Sequence, residues 1–165
     1  MPDITSNSSD KTLKRLSNFT ERTFSFRGIL CCSLEGILQS LKCDDAEHQI
    51  EMCRLAGKHA KNAGQAFVWS RDRFLYWQGE KYKRGTPEYE ELIEAIFDAA
   101  YAGDPSFADD LLATGHNDLR HTIGETHQYR TVLTRNDFLC NLYRLRARAH
   151  REEGARIQKI VFNSF

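Results

Sequence analysis

Most of the chain follows a helical pattern of hydrophobic and polar positions. Apolar residues three or four positions apart predict five helices. The first begins at a Ser33 cap and runs to about Cys43, and a second runs from the Asp44-Asp45 pair towards Gly64. The third begins at Thr86-Pro87, and the fourth begins at Asp104-Pro105 and ends near Gly115. The fifth carries the apolar positions Phe138, Leu142, Leu145 and Ala149.

Shorter stretches depart from this period. Phe24 and Phe26 precede Arg27-Gly28, and Ile29 and Leu30 follow, which predicts two short strands joined at Gly28. Residues 65–85 have no clean period and are expected to be ordered but irregular. Residues 116–135 are polar and loop-like, with a short strand around 131–133. The pattern therefore predicts a mainly α (α+β) fold with a short N-terminal β-hairpin.

Length and composition place this fold in one domain. The 165 residues are 41% hydrophobic and 28% charged with 3 prolines, which is typical of a globular protein. Polar residues crowd positions 7–10, so we expect a flexible tail over 1–12 and a single compact helical domain over 13–165. No apolar run approaches the roughly 20 residues of a membrane helix, and no secretory signal is evident, so we expect a cytoplasmic protein.

Charge and cysteine usage narrow the chemistry. Lys+Arg and Asp+Glu balance at 23 each, so overall charge favours neither nucleic acid nor membrane. The five cysteines contain no C-x-x-C pair and are interpreted as reduced thiols. His116, His121 and His127 are five and six residues apart, which does not place two ligands on one helical face. No metal or cofactor is expected.

Glu35, Gln39 and Lys42 lie on one face of the first predicted helix, apart from its apolar stripe. This face is either the solvated side of an amphipathic helix or the wall of a site. Gly36 favours the site, because a glycine in the first turn costs roughly 1 kcal/mol relative to alanine and suggests that another group approaches the backbone. In the first turn, the helix dipole favours the ionised form of the Glu35 carboxyl.

Aromatic and basic residues alternate over residues 65–85. Five cations face only two carboxylates there, Asp72 and Glu80, and this composition suits a nucleotide or nucleic-acid ligand. The other interpretation is that most rings belong to the core and the cations solubilise the segment. Trp77, next to Gln78-Gly79, is predicted to be the ring exposed for stacking. The arginines of the last helix are expected to pair with carboxylates, although contact with phosphates is also open.

Several motifs together resemble one known family. Leu16-Ser17-Asn18-Phe19 is followed by Phe26-x-Gly28 and then by Ser33-x-Glu35-Gly36-x-x-Gln39-x-x-Lys42. This order is similar to the opening of the NADAR, or YbiA-like, N-glycosidase family. Lys61-x-x-Gly64, Trp77 and a closing Asn136 to Arg146 segment extend the resemblance over most of the chain. The Glu35-Gly36 variant looks most like the divergent bacteriophage members.

The resemblance implies hydrolysis of an N-glycosidic bond to ribose, in an ADP-ribosyl adduct such as ADP-ribosylated guanine or in a ribosylamine intermediate of riboflavin synthesis. Glu35 would be the catalytic carboxylate. The implied ligand-binding residues are Asn18, Phe19, Gln39, Lys42, Gly64, Trp77 and Asn136. The implied partner is a nucleotide-like small molecule or ADP-ribosylated nucleic acid.

The sequence leaves four points open. The helix position favours Glu35 as base, nucleophile or electrostatic stabiliser rather than as acid. Glu125 and Asp137 are both candidates for the acid that protonates the leaving group. The run 121–130 has no tryptophan where many family members carry one, which leaves the substrate open. The alternative function is a non-catalytic module that binds ADP-ribose or nucleic acid.

Overall fold

The computed structural model describes residues 3–163, which form an α+β fold. Within that range there are seven helices: α1 Lys11–Arg15, α2 Leu34–Ser40, α3 Ala46–Cys53, α4 Gly57–Gln65, α5 Pro87–Gly103, α6 Pro105–Ala113 and α7 Arg135–Phe162. Two antiparallel hairpins complete it: β1 Phe24–Phe26 with β2 Ile29–Cys31, and β3 Phe74–Trp77 with β4 Glu80–Lys83. The predicted fold class and N-terminal hairpin are confirmed. Residues 1–2 of the expected tail and 164–165 of the expected domain lie outside the described range.

The core is built around α5, which begins as its sequence predicts. Thr86 caps its first turn and Pro87 occupies the first helical position, where a missing N–H leaves no hydrogen bond unmade. Its apolar stripe packs against α7, whose inner face carries Phe138, Leu142, Leu145 and Ala149. The β1 strand crosses the end of α5, where a side chain on Gly103 would lie 2.5 Å from Cβ of Phe24. These contacts bury one face of α5 and the inner face of the first half of α7.

The expected second helix is two helices, so that prediction is wrong. α3 ends at Cys53, and α4 begins at Gly57, whose φ of 54° is in the left-handed region. At this break two backbone carbonyl groups accept hydrogen bonds from the residues that join β2 to α2, instead of continuing a helix. Cys53 O accepts from Cys32 N at 2.8 Å, and Leu55 O accepts from Ser33 Oγ at 2.7 Å. These hydrogen bonds to Cys32 and Ser33 therefore favour a break between α3 and α4, although the sequence on both sides of the break is helical.

The segment 65–85 is also more regular than expected. The strands β3 and β4 pair in register from Phe74 opposite Lys83 to Trp77 opposite Glu80. The two turn residues, Gln78 and Gly79, have φ values of 47° and 87°, the two positive values that a two-residue hairpin turn requires. By contrast, the short strand expected around 131–133 is not formed within the described residues.

Part of the expected tail is packed against the domain. Ile4 is fully buried, and its N–H donates to Arg120 O at 2.8 Å. The Asp3 carboxylate accepts from both the backbone and the hydroxyl group of Thr122, which also lowers the pKa of Asp3. Asp10 then caps α1. A single buried isoleucine in a polar run is too weak a signal to predict this packing.

The last helix continues past the domain. α7 runs to Phe162, and large apolar side chains near its end are exposed: Ile157, Ile160, Val161 and Phe162. Two of its arginines pair with carboxylates as expected, Arg144 with Asp98 and Arg148 with Glu152. The buried Arg146 instead donates to Thr114 Oγ1 and Asn117 O. No helix among residues 3–163 is both long enough and apolar enough to span a membrane.

Candidate functional site

Glu35 lies at the buried start of α2 rather than on a solvated face. Ser33 caps the helix by accepting a hydrogen bond from Gly36 N at 2.9 Å, and Glu35 N donates to the carbonyl group of Asn18 at 3.0 Å. α3, α4 and the 18–19 segment enclose the helix, so the Glu35 residue is only 8% exposed. The interpretation of this face as a solvated one is therefore wrong.

Gly36 explains how α2 can be enclosed so closely. A side chain there would lie 2.5 Å from Leu55 O and 2.9 Å from Met52 O, closer than real side chains approach. The expectation that something approaches the backbone at Gly36 is confirmed. The approaching groups are the carbonyl oxygens at the end of α3, which hold the α3–α4 break against the start of α2.

One side of α2 carries the Glu35 carboxyl and its hydrogen-bond donor. Gln39 Nε2 donates to Glu35 Oε1 at 2.9 Å, the i, i+4 contact that their spacing predicts. Gly64 of α4 packs on the Gln39 side chain, and Lys61, one turn earlier in α4, contributes a positive charge near Glu35. We call Glu35, Gln39, Lys42 and Lys61 the Glu35 cluster.

Burial and charge act on the carboxyl in opposite directions. Burial is the largest effect and raises the pKa of Glu35, while the Gln39 hydrogen bond and the charges of Lys61 and Lys42 lower it. Burial also lowers the pKa of the half-buried Lys42, against the influence of Glu35. The net result favours a protonated Glu35 over a wider pH range than an ordinary carboxyl. The expectation of an ionised carboxylate rested on the helix dipole alone, and burial outweighs it.

The segment before β1 completes this neighbourhood. Lys61 Nζ lies 5.8 Å from the centroid of the Phe19 ring, within the range of a cation–π contact. Asn18 Oδ1 is buried and has no hydrogen-bond partner among the described residues, and the same holds for Gln39 Oε1. Buried acceptors without partners are rare in native proteins and call for an explanation.

The comparisons with known proteins bear on this cluster. The sequence profile of the family described as Bacteriophage protein GP30.3 matches residues 12–147. The chain belongs to this bacteriophage family. A 17.1 kDa protein from the Gp30-rIII intergenic region of Enterobacteria phage T4 is 33% identical over 133 residues, which cover 79% of this chain and 88% of the relative. Asn18, Phe19 and the whole Glu35 cluster lie inside the matched region.

The fold of this GP30.3 family member is also that of a solved structure. The NMR structure of the E. coli protein YbiA matches with a TM-score of 0.60 at 20% identity, covering 93% of this chain and 89% of YbiA. The expected resemblance to a divergent, phage-type YbiA-like protein is therefore confirmed. At this identity the match concerns the fold.

Two of the expected ligand-binding residues, Trp77 and Asn136, lie apart from the Glu35 cluster. Trp77 is 2% exposed, and its ring packs on Phe26 with centroids 5.2 Å apart, so the prediction of an exposed stacking ring is wrong. The alternation of β3 turns Leu75 and Trp77 to the core. Asn136 is exposed in the first turn of α7. The described contacts do not join either residue to the Glu35 cluster.

Some of the other rings and cations of the 65–85 segment stabilise the fold of this family member. Trp69 is buried, and Arg84 is buried in an ion pair with Asp137 at 2.6 Å. Lys81 stacks on Phe74 with its Nζ 3.8 Å from the ring centroid. The interpretation as core and supporting structure therefore holds for Trp69, Trp77 and Arg84, whereas the other four cations of the segment are exposed.

Neither candidate for the second acid is arranged as a proton donor. Asp137 pairs with Arg84 and accepts from Thr134 N in a capping box. Glu125 accepts from the backbone N–H groups of His127 and Thr126, which lower the pKa of this exposed carboxyl. The hydrogen bonds to Glu125 stabilise its ionised form, and the Asp137 carboxylate is already engaged by Arg84 and by the helix cap.

Sequence reasoning missed Lys61 as a member of the cluster. The available signal was the i, i+3 spacing of Lys61 and Gly64, which places them on one face of α4.

Other features of the described residues lie apart from this cluster. The imidazole ring of His116 stacks on that of His150, with centroids 4.9 Å apart. Two cavities, of about 210 Å³ beside Arg84 and Asp137 and about 410 Å³ beside Cys32 and His59, lie outside the Glu35 cluster.

Proposed function

We propose that this protein is a hydrolase that cleaves an N-glycosidic bond to ribose, with Glu35 as its catalytic carboxyl group. The substrate class is an ADP-ribosyl adduct, such as ADP-ribosylated guanine, or a ribosylamine of the riboflavin pathway. The observation that carries the proposal is the buried Glu35, bonded to Gln39 and placed near Lys42 and Lys61. The YbiA fold and the family motif support it.

Glu35 acts first as an acid in this mechanism. Its raised pKa retains a proton, which passes to the leaving nitrogen as the C1′–N bond breaks. The carboxylate that remains then faces an oxocarbenium-like sugar and stabilises its positive charge. Water adds to C1′ and loses a proton to the carboxylate, which restores the acid. Overall, the C1′–N bond and one O–H bond of water are broken, and one C–O bond and one N–H bond are formed.

The neighbouring side chains suit the rest of such a ligand. Lys42 and Lys61 supply positive charge for a phosphate group, and they also stabilise Glu35 after it has lost its proton. The half-buried Phe19 ring offers a stacking surface. The unpartnered Asn18 Oδ1 can accept a hydrogen bond from a sugar hydroxyl or an amino group.

The proposal is tested by incubating the protein with two substrates. One is an oligonucleotide that contains ADP-ribosylated guanine, and the other is ribosylaminouracil phosphate. Release of base and sugar is followed by mass spectrometry for the wild type, Glu35→Gln and a matched control, Glu51→Gln, which changes an exposed carboxyl of α3. We expect turnover by the wild type and by Glu51→Gln, and a loss of roughly 100-fold or more in Glu35→Gln.

Two outcomes contradict this function. Equal turnover by Glu35→Gln and the wild type means that Glu35 is not the catalytic group. Binding of either ligand without release by the wild type identifies the alternative function, a module that holds ADP-ribose or nucleic acid without cleaving it. A thermal unfolding curve for each variant shows that the comparison is made between folded proteins.

A further inference from the structure

Gly64 lies where α4 meets the side chain of Gln39. A Cβ atom at Gly64 would lie 1.8 Å from Gln39 Oε1, 2.6 Å from its Cδ and 2.8 Å from its Cβ. All three contacts are with one side chain, so the space that a Cβ would need at Gly64 is filled by Gln39. The backbone of Gly64 is not in the left-handed region, so conformation does not require a glycine here.

The position of Gln39 over Gly64 decides what its amide group can reach. With the side chain in this place, Nε2 lies 2.9 Å from Glu35 Oε1. This oxygen can accept the hydrogen bond from the amide whether Glu35 is ionised or protonated, because a carboxyl group keeps an acceptor oxygen in both forms. Oε1 of Gln39 then points to Gly64 and is buried without a partner among the described residues. Gly64 thus covers Gln39 Oε1, which has no hydrogen-bond partner in this orientation of the amide group.

We propose that Gly64 is a positioning residue for the catalytic carboxyl, and that its lack of a side chain holds Gln39 in hydrogen-bond contact with Glu35. This proposal replaces the ligand-binding role that the family resemblance implies for Gly64. It rests on the proposed function only where it concerns catalysis. The contact and its effect on Glu35 are properties of the fold.

The proposal makes a specific statement about proton affinity. The Gln39 hydrogen bond stabilises the ionised form of Glu35 and lowers its pKa, against the larger effect of burial. A side chain at position 64 displaces Gln39 and removes this stabilisation. The pKa of Glu35 therefore rises in Gly64→Ala, although residue 64 has no charge and no polar side chain.

The experiment follows the Glu35 carboxyl by NMR titration of a ¹³C-labelled side chain, assigned by the loss of its signal in Glu35→Gln. The variants are Gly64→Ala, Gln39→Ala and the double variant. We expect a higher pKa of Glu35 in both single variants. The pKa in the double variant should match that in Gln39→Ala, because Gln39→Ala already removes the amide group and leaves only the 2.8 Å contact of Cβ with the new methyl group. Gly154→Ala, in open space on α7, is the matched control and should leave the pKa unchanged.

Each result decides the proposal. An unchanged Glu35 pKa in folded Gly64→Ala overturns it, and so does a further rise when Gly64→Ala is added to Gln39→Ala. If Gly64→Ala fails to fold, a double variant that folds better than Gly64→Ala supports the contact, because it lacks the two atoms nearest the new methyl group. A Glu35 pKa in Gln39→Ala that is unchanged from the wild type then overturns the link between Gln39 and the carboxyl group.

Activity provides a separate readout. If Glu35 is the acid, the alkaline limb of the kcat/KM profile moves to higher pH in Gly64→Ala, together with the pKa seen by NMR. A purely structural glycine would lower activity without moving this limb. Absence of turnover in the wild type would refute the proposed function and leave the titration result intact, so the two failures are distinguishable.

Discussion

Ser33 Oγ donates a 2.7 Å hydrogen bond to Leu55 O and also accepts one from Gly36 N at 2.9 Å. One fully buried hydroxyl therefore caps α2 and fastens the α3–α4 break to it. Removing this hydroxyl leaves a donor and an acceptor unpaired in the interior. Ser33→Ala is expected to lower the free energy of unfolding by about 1–3 kcal/mol, as measured by urea denaturation. The exposed Ser25→Ala should change it by less than about 0.5 kcal/mol, and equal effects would contradict this role for Ser33.

Two glycine-to-alanine substitutions should have opposite effects on stability. Gly36→Ala places a methyl group 2.5 Å from Leu55 O and 2.9 Å from Met52 O, so α2 or α3 must shift, at a cost of roughly 1–3 kcal/mol. Gly154→Ala meets nothing within 4 Å in a helix and should stabilise the protein by about 0.4–1 kcal/mol. Thermal unfolding of both variants checks this. A Gly36→Ala protein as stable as the wild type would disprove the close approach.

The buried Glu35 should make stability depend on pH. Its folded pKa is raised above the ordinary value of 4.5, so between these two values the folded state holds more protons than the unfolded state. The free energy of unfolding therefore falls as pH rises through this window, because ionising Glu35 in the interior is unfavourable. Glu35→Gln has no such titration, so its stability relative to the wild type should increase with pH there. Urea denaturation at a series of pH values, starting below 4.5, measures the difference. A constant difference between the two proteins would mean that burial does not raise this pKa.

Trp77 should matter for stability rather than for stacking on a ligand. Its ring is buried against Phe26, so Trp77→Ala should cost about 3–5 kcal/mol in unfolding free energy. Val68→Ala, which shortens a side chain that is 74% exposed, is the control with little effect. Trp77→Phe keeps an aromatic ring in the core, so under the proposed function it should bind ADP-ribose with the affinity of the wild type, as measured by calorimetry. A selective loss of ligand affinity in Trp77→Phe would show that the indole contacts the ligand.

The thiols should differ in reactivity by position. Cys140 is exposed, Cys32 is half-buried, and Cys31, Cys43 and Cys53 are buried. Burial raises the pKa of Cys43, and a hydrogen bond with Cys53 together with burial raises that of Cys31, so little reactive thiolate forms at either. A chromogenic disulfide reagent should label Cys140 first in the native protein and the buried thiols only on unfolding. Cys140→Ser should remove the fast phase, and fast labelling of all the thiols would contradict the described core.

The sequence by itself determined the elements whose signals are local. Thr86-Pro87 and Asp104-Pro105 mark helix starts because a cap and a first-position proline act within one turn. The apolar spacing of α7 and the i, i+4 contact of Glu35 with Gln39 follow from helix geometry alone. The prediction that another group approaches the backbone at Gly36 was also correct, because a glycine in the first turn of a helix often marks such a contact.

The tertiary structure decided everything that depends on a distant partner. The expected second helix is divided into α3 and α4, because Leu55 O accepts a hydrogen bond from Ser33 and Cys53 O accepts one from Cys32. The tertiary structure also buried Trp77 and brought Lys61 near Glu35. Above all, it changed the protonation expected for Glu35. The helix dipole is a local property that the sequence reveals, whereas desolvation depends on which elements enclose the carboxyl group, and only the assembled fold specifies that.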